Sequence, residues 1–444
     1  MAGGVQMLKV VSSCWALFLG LALIMLGNGL QGSLLGLRAS MEGFSISVTG
    51  LVMSGYFIGL IAGATVVPKI VSRVGHIRSF GALASLASTS ILVHIVFVDP
   101  WIWWSMRVAT GFAYAGLYIV AESWLNDSAT NETRGQLLSF YMLTLLAGLA
   151  GGQFMLNIAD PQSFELFVLI SVLVSVAVIP ILISVSPAPA FETTESVGLF
   201  RLYQVSPLGV FGLFASGIAM GAIFGVGTVY ATSVGLSVKE VSFFMASLII
   251  GGFVMQYPLG WLSDRLGRRK IIVLSCTLGA SVSFISSTLP ISGWHLYMAI
   301  GLVGGFSMPL YSLFIAHTND YLSPSQMVAA SGTMVLANGL GASLGSPITA
   351  FVMDAVGPHG FFQTNGVALS LICLFALWRS TQREAMAHED LGDFVPMAPS
   401  PLSAAINPEL ELDEIEAATE VDREAVDESF EELVEDLSSP DETE

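Results

Sequence analysis

Charge is scarce in this chain: only 11% of its 444 residues are Asp, Glu, Lys or Arg, where a soluble domain carries about 25%. Too few polar groups remain to cover a water-soluble globular body. Cysteine is scarcer still. Cys14, Cys276 and Cys373 lie far apart in apolar runs and supply neither a disulfide framework nor a metal-ligand cluster. The 16 Lys and Arg are scattered singly or in short loops, which leaves no basic face for nucleic acid. No Ser/His/Asp set or phosphate loop is visible at a membrane face. An integral membrane enzyme therefore has little support, and no catalytic residue, cofactor or metal is expected.

What is abundant is apolar sequence, 54% of the chain. It is gathered into twelve stretches at about residues 12–34, 48–68, 77–98, 101–125, 136–157, 164–184, 207–233, 241–262, 270–290, 294–318, 327–353 and 361–379. Hydrocarbon offers backbone polar groups no outside partner, so such stretches form helices. A 21-residue helix reaches roughly 31 Å, enough for the hydrocarbon core. The first run is too long for a secretion signal and lacks a small-x-small cleavage site, so it is read as a span. The expected fold is an all-α integral membrane protein of twelve helices.

The spans sort the basic residues. With the N-terminus in the cytoplasm, Lys9, Lys69, Arg73, Arg78, Arg134, Arg201, Arg265, Arg268, Arg269, Lys270, Arg379 and Arg383 fall inside, and only Arg38 and Lys239 fall outside. That bias places both termini in the cytoplasm of a multi-pass inner-membrane or plasma-membrane protein. The net charge of -18 is local: residues 384–444 hold 21 acidic residues and one basic one, Arg423.

The halves of the span region echo one another. Leu117-Tyr118 and Asn126-Asp127 recur 193 residues later as Leu310-Tyr311 and Asn319-Asp320, and Gly148 and Gly152 recur as Gly341 and Gly345. The basic loop 73–78 meets 265–270 at an offset of 192. Two six-helix bundles, 1–184 and 207–383, are therefore expected, joined by a cytoplasmic linker at 185–206 that carries Pro187, Pro189, Glu192 and Glu195. The acidic tail, 384–444, begins with a Pro-containing tether. Leu412, Ile415, Val426, Phe430, Leu433 and Leu437 then recur at near-helical spacings, so the tail reads as largely disordered with a short amphipathic helix.

The strongest local signal is Gly260-Trp261-Leu262-Ser263-Asp264-Arg265-Leu266-Gly267-Arg268-Arg269-Lys270 between spans eight and nine. It resembles the loop motif of the major facilitator superfamily, Gly-x3-Asp-Arg-x-Gly-Arg-Arg/Lys. The first-half counterpart keeps Arg73, Gly75 and Arg78 but has Pro68, Ser72 and His76 in place of the first Gly, the acid and a later Arg. Arg73-Val74-Gly75-His76-Ile77-Arg78, Glu122-Ser123-Trp124-Leu125-Asn126 and Asn131-Glu132-Thr133-Arg134-Gly135 are similar to the YcaD-like branch of that superfamily. The resemblance covers about residues 12–380. It implies a secondary active transporter working by alternating access, coupled to protons as symporter or antiporter, and acting as a monomer. A non-transporting membrane sensor or scaffold, acting on a cytoplasmic partner through the acidic tail, is the alternative.

Several polar residues inside the spans call for a reason. Arg107 lies six residues into span four, where burial costs roughly 2.5–3.5 kcal/mol. With Gly111 it resembles a superfamily arrangement associated with proton coupling; snorkelling to the surface beside Trp101, Trp103 and Trp104 is the alternative. Glu122 is the one carboxylate well inside a span, and lies about 22 Å along the helix from Arg107. It reads as a gate element able to pair with Arg134 or Arg73, or as a proton carrier. His317 and Asp320, three residues apart, form either a proton relay or a polar cap at a helix end. The loop residues Arg73, Gly75, Arg78, Gly260, Asp264, Arg265, Gly267, Arg268 and Arg269 read as gating and topology devices. For the substrate cavity the first and fourth helices of each three-helix unit nominate Asn28, Gln31, Tyr114, Tyr118, Tyr230 and Tyr311, with Gln153, Asn157, Gln256, Tyr257 and Asn338 in second rank. Without a ring of carboxylates or an Arg pair, the expected solute is small, amphipathic or weakly charged.

Overall fold

The computed structural model describes residues 14–131, 133–183, 197–289, 292–383, 392, 394–397 and 423–438. Lys9, Glu132, the linker residues Pro187, Pro189, Glu192 and Glu195, most of the tail tether, and Leu412 and Ile415 lie outside the described residues. Within them the secondary structure is entirely helical. The long helices are α1 (Trp15–Met41), α2 (Ile46–Val74), α3 (His76–Val96), α4 (Pro100–Ser128), α5 (Arg134–Met155) and α6 (Glu165–Ile183). A short α7 (Leu199–Val205) leads into α8 (Pro207–Ser233), α9 (Val238–Leu266), α10 (Arg268–Thr288), α11 (Trp294–Ser307), α12 (Leu310–Asn319), α13 (Pro324–Val356) and α14 (Gly360–Ser380). The tail contributes α15 (Arg423–Ser438).

Among the described residues, 11 stretches are long and apolar enough to cross a membrane, with α11 and α12 counted as one. The exception is α4. It is 29 residues long, but Arg107, Glu122, Asn126 and several Trp and Tyr dilute its apolar character. The stretch read as one span at 294–318 is broken at Met308-Pro309, because proline has no N–H to continue the ladder.

Local chemistry sets the helix ends, often in matched pairs. Ser45 caps α2 by accepting from the Val48 N–H at 3.2 Å, and Ser237 caps α9 in a reciprocal box with Glu240. Asp99 caps α4 through the N–H groups of Trp101 and Ile102. The sharp turns α2–α3 and α9–α10 are made by Gly75 and Gly267, at φ 90° and 94°, a backbone region that side chains with a Cβ avoid.

The packing repeats as well. α1 lies on α5 and α6, α2 on α4, and α3 on α4 and α6; correspondingly α8 lies on α13 and α14, α9 on α11, and α10 on α11 and α14. Close approach explains the glycines. A Cβ on Gly59 would strike the Val108 carbonyl of α4, and one on Gly251 would strike the Gly301 carbonyl of α11, at matching places in the two sets. The sets meet mainly through α2–α13, α5–α9 and α1–α8. Polar ties between them gather at the end away from the arginine-rich loops: the Ser47 N–H donates to Asp354 at 3.0 Å, and Asn157 donates to Ser242 at 2.9 Å. Phe154 meets Phe243 edge-on beside them.

Candidate functional site

Between the two sets lies a cavity of about 280 Å³, lined from α1, α2, α4, α5, α8, α9, α12 and α13. Its walls are apolar, with Met25, Phe57, Leu60, Met142, Leu145 and Phe224 among them, and carry a few polar groups. Of the residues nominated from sequence, Asn28, Tyr118 and Tyr311 line it, as do Gln153, Gln256 and Asn338. Gln31, Tyr114 and Tyr230 do not. Gln31 is buried within α1, Tyr114 packs behind the wall against Tyr56 and Tyr118, and Tyr230 stacks on Phe361 beside Phe244 and Phe362. Tyr257 faces outward and Asn157 belongs to the inter-set tie.

Asn28 organises one side of the cavity: its amide donates to the hydroxyls of Tyr56 and Tyr118, both at 3.2 Å. Arg107 sits beside this cluster, 5% exposed, with its guanidinium 4.5 Å over the Tyr56 ring. It does not snorkel; it lines the cavity. A cation over a ring face recovers about 2 kcal/mol when desolvated. Its Nε and Nη1 nonetheless have no hydrogen-bond partner. On the adjoining wall Ser33 donates to Gln153, whose amide donates to the Gly29 carbonyl at 2.9 Å. This bond holds α1 against α5.

Glu122 is fully buried at the other end of α4 and accepts from the equally buried Tyr141 hydroxyl of α5 at 2.8 Å. Arg134, which with Arg73 was offered above as able to pair with it, also donates to Asn126 at 3.4 Å. Arg73 and Arg78 flank the Gly75 turn, and there His76 Nε2 bonds the Ser123 hydroxyl of α4 at 2.8 Å.

The second loop is a tighter clasp. Arg268 pairs with Asp264 at 2.5 Å and with Asp320 at 3.3 Å, which ties α9, α10 and the end of α12 together. Asp320 thus takes Arg268 as its ion-pair partner, while His317 lies edge-on to Tyr321. Burial pushes the Asp320 carboxyl above the usual carboxylate range, against the pull of Arg268. Arg269 donates to the Tyr321 hydroxyl at 3.0 Å and to the Arg383 carbonyl at 2.6 Å, and Arg265 covers the Trp261 ring. Gly260 gives room to Phe394 of the tail.

Tyr56, Ser33, Ser312 and Met397 were not singled out from sequence but line the cavity. Tyr56 carried a readable signal, a phenol in an apolar span. Met397 carried none, because it stands beyond the last span.

A helical membrane bundle with a central cavity between two similarly packed sets defines the class of polytopic transporters. Known proteins agree. The Major Facilitator Superfamily model matches residues 209–408, and the Sugar (and other) transporter model matches residues 14–195. The uncharacterized MFS-type transporter YcaD of Escherichia fergusonii is 27% identical over 366 residues, covering 82% of this chain and 94% of that protein. YE1530 of Yersinia enterocolitica, likewise an uncharacterized MFS-type transporter, is 26% identical over 356 residues, covering 80% and 92%. Among solved structures, the nucleoside transporter NupG superimposes with TM-score 0.67 at 14% identity over 82% of this chain and 98% of that one. A bacterial homolog of the human lysosomal transporter Spinster gives 0.67 at 13% over 85% and 97%. The chain belongs to the major facilitator superfamily and is related to its YcaD-like branch. It is a multi-pass inner-membrane secondary transporter of the alternating-access type, not an enzyme.

Proposed function

We propose that the protein moves a small amphipathic solute across the membrane in exchange or in company with protons. Its twelve crossings, α4 included, form two six-helix bundles with both termini in the cytoplasm. The observation that carries this reading is the central cavity, lined from both sets of helices and bounded at one end by the Ser47–Asp354 and Asn157–Ser242 ties. With those ties on the outer side, the conformation is the one that faces inward. Reversal requires breaking them and closing the end that bears the Gly75 and Gly267 turns.

In this scheme Asn28, Tyr118 and Tyr311 contact solute, and Arg107 and Glu122 respond to proton movement or gating. Arg134, His317, Asp320 and the two basic loops set the conformational exchange. The relative named a fucose:proton symporter has the same fold at TM-score 0.53, and supports protons as the coupling ion only by analogy. The direction that favours transport over a sensor or scaffold is the cavity itself, which a scaffold does not need. A solute-panel uptake assay in sealed proteoliposomes, with and without an imposed pH gradient, tests the proposal. Uptake that the gradient accelerates, and that Arg107→Ala and Glu122→Gln uncouple, is expected. Gradient-stimulated uptake unchanged in both variants removes the coupling assignment, and absence of flux across the panel removes the transport assignment of the cavity.

A further inference from the structure

Arg107 is more than the packing of α4 requires. At the position 193 residues later, where the second set repeats the same helix contacts, the fold buries Ile300. The scaffold therefore accepts an aliphatic side chain there, and the guanidinium needs another explanation. Among the described residues it is the one Lys or Arg that lines the cavity, and no Asp or Glu lines it. Tyr56 covers one face of the guanidinium, and Nε and Nη1 are left without a hydrogen-bond partner. A buried cation without a counter-ion is costly unless an anion meets it, and a carboxylate is the anion a guanidinium pairs with most readily. The surrounding Met25, Phe57, Leu60, Met142 and Phe224 offer an apolar body no other polar contact than amides and hydroxyls.

We propose that the transported solute is an amphipathic monocarboxylate, its carboxylate held by Arg107 and its hydrocarbon or aromatic body by the apolar walls. A single cation suits one negative charge and leaves a dianion half uncompensated. This rests on the transport reading of the cavity, and its test is binding, so that the two can fail separately. Purified protein in detergent is titrated with benzoate, hexanoate and octanoate, each matched by its primary amide and by an amine of equal length, and binding is read by equilibrium dialysis. At least one acid is expected to bind about 10-fold or more tighter than its amide, the worth of a hydrogen bond to a charged group. Arg107→Gln removes that preference while leaving amide binding in place, which also shows that the variant is folded, and Arg107→Lys restores part of it. Amides or amines binding as well as the acids, an acid preference that survives Arg107→Gln, or no acid binding at all overturns the assignment. Gradient-driven uptake of a neutral or cationic solute would leave the transport reading standing and refute the carboxylate.

A second observation stands apart from Arg107. The tail returns to the cavity: the Gly392 carbonyl accepts from Arg268, Phe394 fills the space over Gly260, and the Met397 N–H donates to the Ser312 hydroxyl at 3.1 Å. Met397 lines the cavity and is 5% exposed. Further along, α15 buries Val426 and Phe430, Arg201 pairs with Glu431 at 2.5 Å and with Asp427 at 3.8 Å, and Gln326 donates to the Ser429 carbonyl at 2.9 Å. We infer that residues 394–397 of the tail plug the cavity mouth in this conformation, with α15 and Arg201 as a clasp. The test needs no substrate. In a background lacking Cys14, Cys276 and Cys373, Val335→Cys in the cavity wall is labelled with a membrane-impermeant maleimide in inside-out vesicles. Deleting residues 392–444, or reversing the clasp with Arg201→Glu, is expected to speed labelling about 5-fold or more, the scale of losing two surface ion pairs. Thr381→Cys, outside the cavity, should label at an unchanged rate. Equal or slower labelling of Val335→Cys in both variants overturns the plug.

Discussion

The Glu122–Tyr141 bond offers a direct measure of the charge that Glu122 carries. Both side chains are fully buried and the hydroxyl lies 2.8 Å from the carboxylate oxygen, so water cannot take its place. A hydrogen bond to a charged group contributes about 1.5–3 kcal/mol and a neutral one about 0.5–1.5 kcal/mol. If Glu122 is charged, Tyr141→Phe should therefore cost about 2 kcal/mol, against about 1 kcal/mol in a Glu122→Gln background. The coupling between the two substitutions is then about 1 kcal/mol. Equilibrium unfolding in mixed micelles of wild type, both single variants and the double variant gives that number directly. Repeating the cycle at lower pH asks whether the coupling changes, since a protonated carboxyl makes the bond a neutral one. Additivity within about 0.3 kcal/mol at pH 8 would refute a charged Glu122 held by Tyr141.

Gly251→Ala drives a Cβ into the Gly301 backbone and should destabilise the fold by about 1–3 kcal/mol. Gly81→Ala, half-buried but with open space around an added Cβ, should stabilise by about 0.5–1 kcal/mol, and thermal unfolding in detergent distinguishes the two signs. Replacing Asp354 and Asn157 together with Ala removes two of the polar ties between the helix sets. At about 0.5 kcal/mol for each half-exposed bond, labelling of Thr228→Cys from the side bearing Ser47 should quicken roughly 5-fold.

The membrane-embedded character of the chain was legible because it is a property of composition along short windows: hydrocarbon excludes unpaired backbone polar groups whatever the neighbours are. The turns at Gly75 and Gly267 and the Asp264–Arg268 pair are equally local, since a positive φ and an i,i+4 pair are set within a few residues, but from the sequence alone these residues read only as gating and topology devices. α4 shows the limit of that logic. Its polar residues hold its apolar average down, yet it packs between α2 and α3 because its neighbours cover them.

Which polar residues face a common space is a different kind of fact. Asn28 and Gln31 are three residues apart on α1, and only the rotation of that helix against α2, α4 and α5 puts Asn28 at the cavity and Gln31 in the packing. Tyr118 and Tyr230 looked equivalent in the sequence; one lines the cavity and the other stacks on Phe361. The sequence by itself determined a chain that must fold in a membrane, with an echo between its halves and a basic turn in each, because hydropathy and turn chemistry act over neighbouring residues. Only the tertiary structure decided that Arg107 is buried over Tyr56 without a counter-ion among the described residues, that Glu122 meets Tyr141, and that Met397 reaches the cavity. Those contacts join residues 51, 19 and 85 or more positions apart, through helix rotations fixed by packing and not by any local pattern.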